Sequence, residues 1–444
     1  MLRGKQYLFG ITASMVVLVL GISPQPASGR PLPPVGQAGP ISQAVGQPVC
    51  DWFPINTEGE DQVASAVVFN SQRQEYMVVW YNDRPGNDDI YCQRVSADGT
   101  LIGSRVSIAA GLGVERRHPD VAYNSKQDEY LVVWEHDAGG TTWPNIHGRR
   151  VSATGLLQGS EITLGTGAAL RIRDEPAVAY ASTSDNYLAV WTSHVWAGIA
   201  DDIEGQTVSG QGSPVGSNFL IAQGTWPGPT SHDQPGVAYN RSRNEFLVVW
   251  RYKNVDYDIY GRRVQGNGTL LLPAAIPIGQ YTVDEEEPAV AAIPTTPNHG
   301  HYLVVWELRY GANDGDIYAR PLAGDGTVSA TVVISNSLVD QFTPAVAGNE
   351  DSQEYLVAWT QPWDAVTGVR GRQVSNNGVL LGGEAWIGGD NADRAGLASG
   401  PPAEFLVAMD ALPVPSTGRD IYGRLWGDRA CAYLYLPVMA RDAQ

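Results

Sequence analysis

The sequence has few basic residues. Its 444 residues include 29 Lys and Arg against 47 Asp and Glu, which gives a formal net charge of -18 at pH 7. A chain this acidic is repelled by nucleic-acid phosphates and by anionic lipid headgroups. We therefore expect no nucleic acid and no membrane surface among its partners, and we expect a monomer.

Recognisable catalytic motifs are also missing. The chain contains no Gly-x-Ser-x-Gly nucleophile elbow, no His pair with the spacing of a zinc protease, no complete EF-hand loop and no tandem calcium-binding nonapeptide. We expect most of the histidines to be loop residues rather than parts of a metal centre. They are His118, His136, His147, His194, His232, His299 and His301. We predict no catalytic residues, and the sequence favours a protein that is not an enzyme.

What the sequence does contain is a repeat. An aromatic residue, three apolar residues and a Trp recur at intervals of about 50 to 60 residues. The Trp positions are Trp80, Trp134, Trp191, Trp250, Trp306 and Trp359, with Met409 in the seventh copy. Such a period indicates supersecondary units that bury their apolar faces against one another.

Each copy contains the signals of four short strands. A first apolar segment usually starts with Pro, as at Pro119, where a strand loses no ladder hydrogen bond. The run that ends in Trp has the length and the β-branched composition of a buried strand. A third segment, such as Asp258 to Val264, leads into an Asn-Gly or Asp-Gly turn, and a weaker fourth segment follows. The pattern predicts an all-β fold, a seven-bladed β-propeller of four-stranded antiparallel blades.

One stretch resembles a known family. The residues from Asp83 to Tyr91, followed by Val95-Ser96-Ala97-Asp98-Gly99, resemble the repeat of TolB-type propellers of the bacterial envelope. The Trp and Asp-Ile-Tyr-Gly repeats are also similar to those of large uncharacterised secreted bacterial proteins. The resemblance covers residues 45 to 428 and implies an extracytoplasmic propeller, but its motif specifies a blade and not an activity.

The N-terminal residues have the features of a secretory signal. Arg3 and Lys5 precede an apolar run from Tyr7 to Ile22, and small residues follow at Ala27-Ser28-Gly29. We predict a signal peptide over residues 1–29, with a retained membrane anchor as the alternative. A Pro/Gly-rich linker over residues 30–44, a propeller over residues 45–432 and a C-terminal tail over residues 433–444 complete the predicted organisation. The predicted location is secreted or extracytoplasmic, at the cell surface or in the periplasm.

The two ends of the repeat region complement each other. The seventh copy lacks a convincing fourth strand after Asp428, whereas an extra strand-like segment, Val45 to Phe53, precedes the first copy. We therefore expect the N-terminal segment to complete blade seven and close the ring, which removes both open sheet edges. Cys50 and Cys431 flank this junction, and export predicts a disulfide between them. Cys92 replaces the Gly of Asp-Ile-Tyr-Gly, and we expect a small buried residue rather than a reactive thiol.

Two charged residues recur with the repeat. A Glu precedes the aromatic residue at Glu75, Glu129, Glu245, Glu354 and Glu404, and an Arg follows the Gly at Arg149, Arg262, Arg372 and Arg424. These positions belong to neighbouring strands of one blade, so we expect cross-strand ion pairs rather than a site.

Candidate ligand-binding residues lie in the loops of one face, where second-to-third strand loops and blade-to-blade loops emerge together. Solubility and turn capping explain many of the acids there, and calcium binding is the alternative, since calcium prefers several carboxylate and carbonyl oxygens. Trp residues outside the strands suit sugar rings, which stack on indole, although each could instead pack over its blade. The predicted ligand-binding residues are Trp143, Trp196, Trp226, Trp363, Asp174, Glu175, Asp233, Glu286 and Glu287.

These observations favour a secreted, non-catalytic binding or scaffold propeller whose ligand is a glycan or an extracellular envelope protein. A polysaccharide-active hydrolase or lyase is the first alternative, and a purely structural surface module is the second. Calcium is the one cofactor that stays open.

Overall fold

The structure is a computed structural model, and it describes residues 47–57, 60–139, 143–165, 171–195, 201–225, 230–294, 300–363, 366–389, 391–402, 404–412 and 418–427. These residues form 28 β-strands in seven four-stranded antiparallel sheets. The predicted seven-bladed propeller is thereby confirmed. The described ranges contain no helix that could cross a membrane.

The strands follow the chain blade by blade, except for the first. β1 (Gln47–Asn56) belongs to blade 7. Blade 1 contains β2 (Asp61–Asn70), β3 (Glu75–Asp83), β4 (Asp89–Ser96) and β5 (Leu101–Ala109); blade 2 contains β6 (Glu115–Asn124), β7 (Glu129–Asp137), β8 (Asn145–Ser152) and β9 (Leu157–Thr163); blade 3 contains β10 (Arg171–Ala181), β11 (Asn186–Val195), β12 (Asp201–Ser209) and β13 (Pro214–Ala222). Blade 4 contains β14 (Ser231–Asn240), β15 (Glu245–Lys253), β16 (Tyr257–Gln265) and β17 (Ile276–Gly279); blade 5 contains β18 (Asp284–Ile293), β19 (His301–Gly311), β20 (Asp314–Ala323) and β21 (Val332–Ser335). Blade 6 contains β22 (Phe342–Asn349), β23 (Glu354–Trp363), β24 (Val366–Ser375) and β25 (Leu380–Gly388); blade 7 contains β26 (Asp393–Gly400), β27 (Glu404–Ala411) and β28 (Asp420–Gly427).

Blade 7 takes its outermost strand from the other end of the chain. β1 pairs antiparallel with β28, with Gln47 opposite Gly427 and Asn56 opposite Ile421. The predicted closure by an N-terminal strand is confirmed. The disulfide stays a prediction, because Cys431 and the side chain of Cys50 lie outside the described residues. Cys92 is buried, and burial raises the pKa of its thiol to about 12, as expected for a structural residue.

The second strand of each blade is the apolar centre of the fold. The six repeated Trp side chains and Met409 are at most 1% exposed. The buried apolar residues form seven clusters, and each cluster combines side chains from two adjacent blades, including blade 7 with blade 1. The second strands are therefore covered on both faces, which explains why their sequences are continuously apolar.

The recurring Glu and Arg make contacts that differ from the expected ion pairs. Glu129 accepts hydrogen bonds from Arg150, with Nε 2.7 Å from Oε1, and not from Arg149. Arg149 Nη1 instead donates to the carbonyl of Ile108 in the outermost strand of the preceding blade, at 3.0 Å. The same contact joins Arg262 to Ile221, Arg372 to Ile334 and Arg424 to Ile387. The predicted role of the Arg after Gly was wrong, because successive residues of a strand point to opposite faces and this Arg reaches the neighbouring blade.

Each first strand contains a β-bulge. In blade 2 the pairing register shifts between Arg117 and Asp120, and the bulge holds His118 and Pro119. The other six first strands shift at the equivalent place. Because β6 begins at Glu115, Pro119 is not at the strand start as predicted. A bulge tolerates Pro, since its extra residue makes no ladder hydrogen bond.

Candidate functional site

The bulges surround a cavity of about 390 Å³ on the propeller axis. Six blades each contribute the first bulge residue to its lining, and these residues are His118, Glu175, Gln234, Glu287, Thr343 and Arg394. We call this cavity the channel mouth. It lies where the first strands begin, on the side from which the second-to-third strand loops emerge.

These six residues share one unusual backbone conformation. Their φ angles lie between 44 and 53°, in the left-handed region that residues other than Gly rarely adopt. Thr343 is the most unfavourable of them, because it is β-branched. The backbone is therefore the same in each blade while the side chain differs, and a costly conformation with varied side chains is typical of a functional position.

The bulge residues are linked around the axis by hydrogen bonds. Glu175 Oε2 accepts from the Gln234 N–H at 2.9 Å, and Gln234 Oε1 accepts from the Glu287 N–H at 3.0 Å. The Glu287 carboxyl in turn accepts from the Thr343 N–H. Three side chains, those of Glu175, Gln234 and Glu287, thus satisfy a bulge N–H of the next blade, which holds this part of the lining in place.

Two carboxyl groups of the lining have perturbed acidity. Burial raises the pKa of Glu175, and the neighbouring Asp174 and Asp233 add to the shift. Burial also raises the pKa of Glu287, helped by Glu286. Within the described residues, Glu287 Oε2 is buried without a hydrogen-bond partner. Carboxyl groups that bind a proton more readily than usual can donate hydrogen bonds or protons to a ligand.

The acids one residue before the bulge are neutralised by cations. Asp233 accepts two hydrogen bonds from Arg251, at 2.7 and 2.6 Å. Glu286 lies 3.1 Å from Arg309 Nε and 3.5 Å from Arg251 Nη1. The predicted acids of this ring therefore do not act as free negative charges.

His194 is the cationic partner of Asp174, as Arg251 is of Asp233. Its Nε2 is 3.0 Å from Asp174 Oδ1, and its Nδ1 is 2.7 Å from Asp201 Oδ1. Burial alone favours the neutral ring, but the hydrogen bonds to the two carboxylates outweigh it and raise the pKa of His194 to about 10. At neutral pH this trio carries a protonated imidazole between two carboxylates.

Arg394 differs from the other cations at the mouth. Arg251, Arg309 and Arg419 are each paired with a carboxylate. The Arg394 side chain is exposed, and within the described residues its guanidinium has no hydrogen-bond or ion-pair partner. His118 is also exposed, with its Nδ1 3.0 Å from Glu135 Oε2. The lining described by the structure therefore includes one unpaired cation, Arg394, and one exposed imidazole, His118.

The structure brings part of the predicted site together. Glu175 and Glu287 line the cavity, whereas Asp174, Asp233 and Glu286 support it from the preceding position. Trp143 is half-buried next to the start of β8. Trp196, Trp226 and the side chain of Trp363 lie outside the described residues, so their roles stay predictions.

Sequence reasoning missed four residues of the lining, His118, Gln234, Thr343 and Arg394. A usable signal was present for three of them, because each directly precedes the Pro of a first strand. Arg394 precedes Ala395 and could be found only by aligning its blade with the others.

One cluster of potential metal ligands is not part of the lining of the mouth. Among the described residues, a single group of at least three His, Cys, Asp or Glu side chains has its ligand atoms within 4.8 Å of one another, and it consists of His136, His147 and Glu161. The prediction that most histidines are loop residues was wrong, because the six histidines that the structure describes all lie in strands, and two of them meet here. None of the predicted acids belongs to the group, and calcium binding stays a prediction.

Comparison with known proteins supports the fold. The sequence matches no protein-family model and no curated relative. Among solved structures, a polysaccharide lyase, the PL25 ulvan lyase, superposes with a TM-score of 0.57 at 10% identity, covering 86% of this chain and 96% of the lyase. The Hadza microbial sialidase Hz136 superposes with a TM-score of 0.51 at 11% identity, covering 76% and 68%.

A protein of unknown function from Dyadobacter fermentans superposes with a TM-score of 0.51 at 12% identity, covering 87% of this chain and 99% of its own. At these identities the likenesses establish a shared architecture and nothing about activity. The resemblance to TolB-type repeats stays a prediction.

Proposed function

We propose that the channel mouth binds a saccharide bearing an acidic group, and that Arg394 binds this group. The observation that carries the proposal is the unpaired guanidinium of Arg394 in a ring where the neighbouring cations Arg251, Arg309 and Arg419 are neutralised. A guanidinium fork matches a carboxylate, sulfate or phosphate group with two parallel hydrogen bonds.

The rest of the lining suits hydroxyl groups. His118, Thr343 and Glu287 line different sides of one cavity, and their side chains include both donors and acceptors. Its volume of about 390 Å³ lies within the range of about 300 to 1,000 Å³ typical of small-molecule sites. The bulge backbone and the hydrogen bonds around the axis hold these groups in place before a ligand arrives, which reduces the entropic cost of binding.

We also propose that the protein is exported and binds its ligand as a monomer outside the cytoplasm. The predicted signal peptide and the resemblance to TolB-type repeats support export, and the predicted monomer would present one mouth per molecule. Two structural neighbours are by name a polysaccharide lyase and a sialidase, which makes saccharides the first ligands to test.

A second candidate is turnover of the bound saccharide. The raised pKa values of Glu175 and Glu287, which line one cavity with His118, favour it, because a carboxyl group that holds its proton more readily can act as a general acid. Under this reading Glu287 acts as a general acid or base. Release of products from saccharides that bind would support it.

Calorimetry with matched ligands tests the binding proposal. Acidic oligosaccharides should bind, and the same oligosaccharides with their carboxyl groups reduced to alcohols should bind more weakly. Arg394→Ala should weaken binding of the acidic form by about 10- to 100-fold, because a charged hydrogen-bonded group contributes about 1.5 to 3 kcal/mol.

A control variant and a turnover assay complete this test. Arg73→Ala removes an exposed Arg from the β2–β3 turn at the opposite end of the blades and should leave the affinity unchanged. Equal affinity of the wild type and Arg394→Ala, or no binding of any acidic saccharide, would contradict the proposal. If products form, Glu287→Gln should abolish their release and retain binding.

A further inference from the structure

Blade 2 differs from blade 1 at three positions that are neighbours in space, and one of them is the recurring Tyr. His147 occupies the place of the Tyr in Asp-Ile-Tyr-Gly, which is Tyr91 in blade 1, Tyr260 in blade 4, Tyr318 in blade 5 and Tyr422 in blade 7. His136 occupies the place of Asn82 in blade 1, and Glu161 that of Arg105. Blade 2 therefore replaces an Asn, Tyr and Arg set with two imidazoles and a carboxylate.

The strand pairing places the three side chains on one face of the sheet. Trp134 on β7 is opposite His147 on β8, and His147 is opposite Thr163 on β9. His136 lies two residues after Trp134, and Glu161 two residues before Thr163. Because side chains alternate between faces with a period of two, His136, His147 and Glu161 share the face of Trp134.

Their geometry brings three ligand atoms close together. The two imidazole rings lie 3.9 Å apart, centre to centre, with 11° between their planes. His147 Nδ1 is 3.4 Å from Glu161 Oε2, and one ligand atom of each residue lies within 4.8 Å of the others. Among the described residues His136 Nδ1 is buried and has no hydrogen-bond partner, which is costly unless something binds it.

We propose that His136, His147 and Glu161 form a binding site for a transition-metal ion of the zinc class. Two imidazole nitrogens and one carboxylate are a ligand set that zinc uses when a fourth position is left for water. Nitrogen ligands disfavour calcium and magnesium, which prefer oxygen. Zinc ligands at about 2.0 to 2.2 Å from the metal lie about 3.3 Å from one another, so small side-chain rotations complete the site.

The surroundings are compatible with a bound cation. Arg116 lies next to His136 on β6, but its guanidinium is turned to the carbonyls of Asp88 and Gly111 and lies 3.6 Å from the Asp89 carboxylate. Glu161 supplies a negative charge. Its side chain is 32% exposed and that of His147 is 17% exposed, so the metal and its water can enter from solvent.

The other blades supply a test variant that keeps the fold. His136→Asn with His147→Tyr installs the residues of blade 1, where Tyr91 stacks against Trp80 at 6.3 Å. The full chain, without an affinity tag and after removal of metals by chelator, is titrated with Zn²⁺ by calorimetry. It is also titrated with Co²⁺, whose visible absorption reports nitrogen and oxygen ligands in a tetrahedral arrangement.

The wild type should bind one equivalent of Zn²⁺ saturably, with a rise in melting temperature. The double variant should lose the site. Loss of an outer-shell partner weakens metal binding by about 10- to 100-fold, and Glu161→Gln should weaken Zn²⁺ binding by more than this because it removes a direct ligand. His301→Asn, which changes a histidine on β19, should behave as the wild type.

Two results would overturn the proposal. One is the absence of saturable Zn²⁺ binding in the wild type, and the other is equal stoichiometry and affinity in the wild type and the double variant. Circular dichroism and the melting temperature without metal show whether the double variant is folded. If it is not, Glu161→Gln decides, because Glu161 lies at the surface, and unchanged affinity in that variant would contradict the proposal.

Discussion

The second strands repeat their side chains from blade to blade, whereas the bulges of the first strands repeat only their backbone conformation. In the second strands the side chains repeat, and Tyr130 to Trp134 of blade 2 have close counterparts in every other blade. In the bulges the backbone repeats, with φ near 50°, while the side chains change from His118 to Arg394. The first region holds adjacent blades together by burying apolar area, and the second places different polar groups around one axis.

This difference separates scaffold from site within a single chain. A residue that recurs in each blade has the same neighbours each time, so its recurrence reflects packing. A position whose backbone is costly and whose side chain varies must be explained by something other than packing. The recurring Tyr of Asp-Ile-Tyr-Gly also has an exception in blade 2, where His147 takes its place.

Replacing Trp134 with Ala should give the largest change in stability. The side chain is fully buried between blades 1 and 2, and truncation of a buried Trp costs about 3 to 5 kcal/mol of unfolding free energy. Denaturant unfolding followed by circular dichroism measures this cost. Trp134→Met copies blade 7 and should cost less, and a cost below about 1 kcal/mol for the Ala variant would show that the second strands are not the stabilising region.

Replacing Arg149 with Gln should give an intermediate change. The variant loses the 3.0 Å hydrogen bond from the guanidinium to the Ile108 carbonyl and leaves that carbonyl without its charged donor, at a cost of about 1 to 3 kcal/mol. The same unfolding experiment applies. Arg73→Gln, at an exposed ion pair, should change stability by less than about 0.5 kcal/mol, and equal effects of the two substitutions would argue against a link between blades.

His194, near the end of β11, should give the mouth a pH-dependent stability that the buried apolar runs of the second strands do not provide. Its folded pKa of about 10 lies above the ordinary value of about 6.5, so the stabilisation is complete below about pH 6.5 and is lost as the pH rises towards 10. The unfolding free energy should fall by at most about 1.4 kcal/mol per pH unit in this window. His194→Asn should flatten the fall, and identical slopes for the two proteins would contradict the ion pairs with Asp174 and Asp201.

The architecture could be predicted from the sequence because its causes are local. The repeated Trp positions, with Met409 in the last copy, show how many blades there are. The apolar run before each of them identifies a strand buried on both faces. Closure by the N-terminal strand followed from a missing segment at one end and a spare segment at the other. The physical requirement behind it is simple, since an unpaired edge strand exposes its backbone donors and acceptors.

The site could be predicted only in part, because it depends on register and on distant residues. Glu175 and Glu287 were found as acids, but only the ring brings them to one cavity with His118 and Arg394. The contact of Arg149 with the neighbouring blade was equally beyond the sequence, since alternation on a strand determines a face but not the partner across it.

What the sequence by itself determined about this protein is the repeated strand and its burial, because side-chain polarity and spacing act within a few residues. Tertiary structure alone decided which polar groups meet, through six bulges whose residues line one cavity and through the pairing that joins His136, His147 and Glu161. The bulge residues are distant in the chain, and the energy that brings them together comes from packing between whole blades.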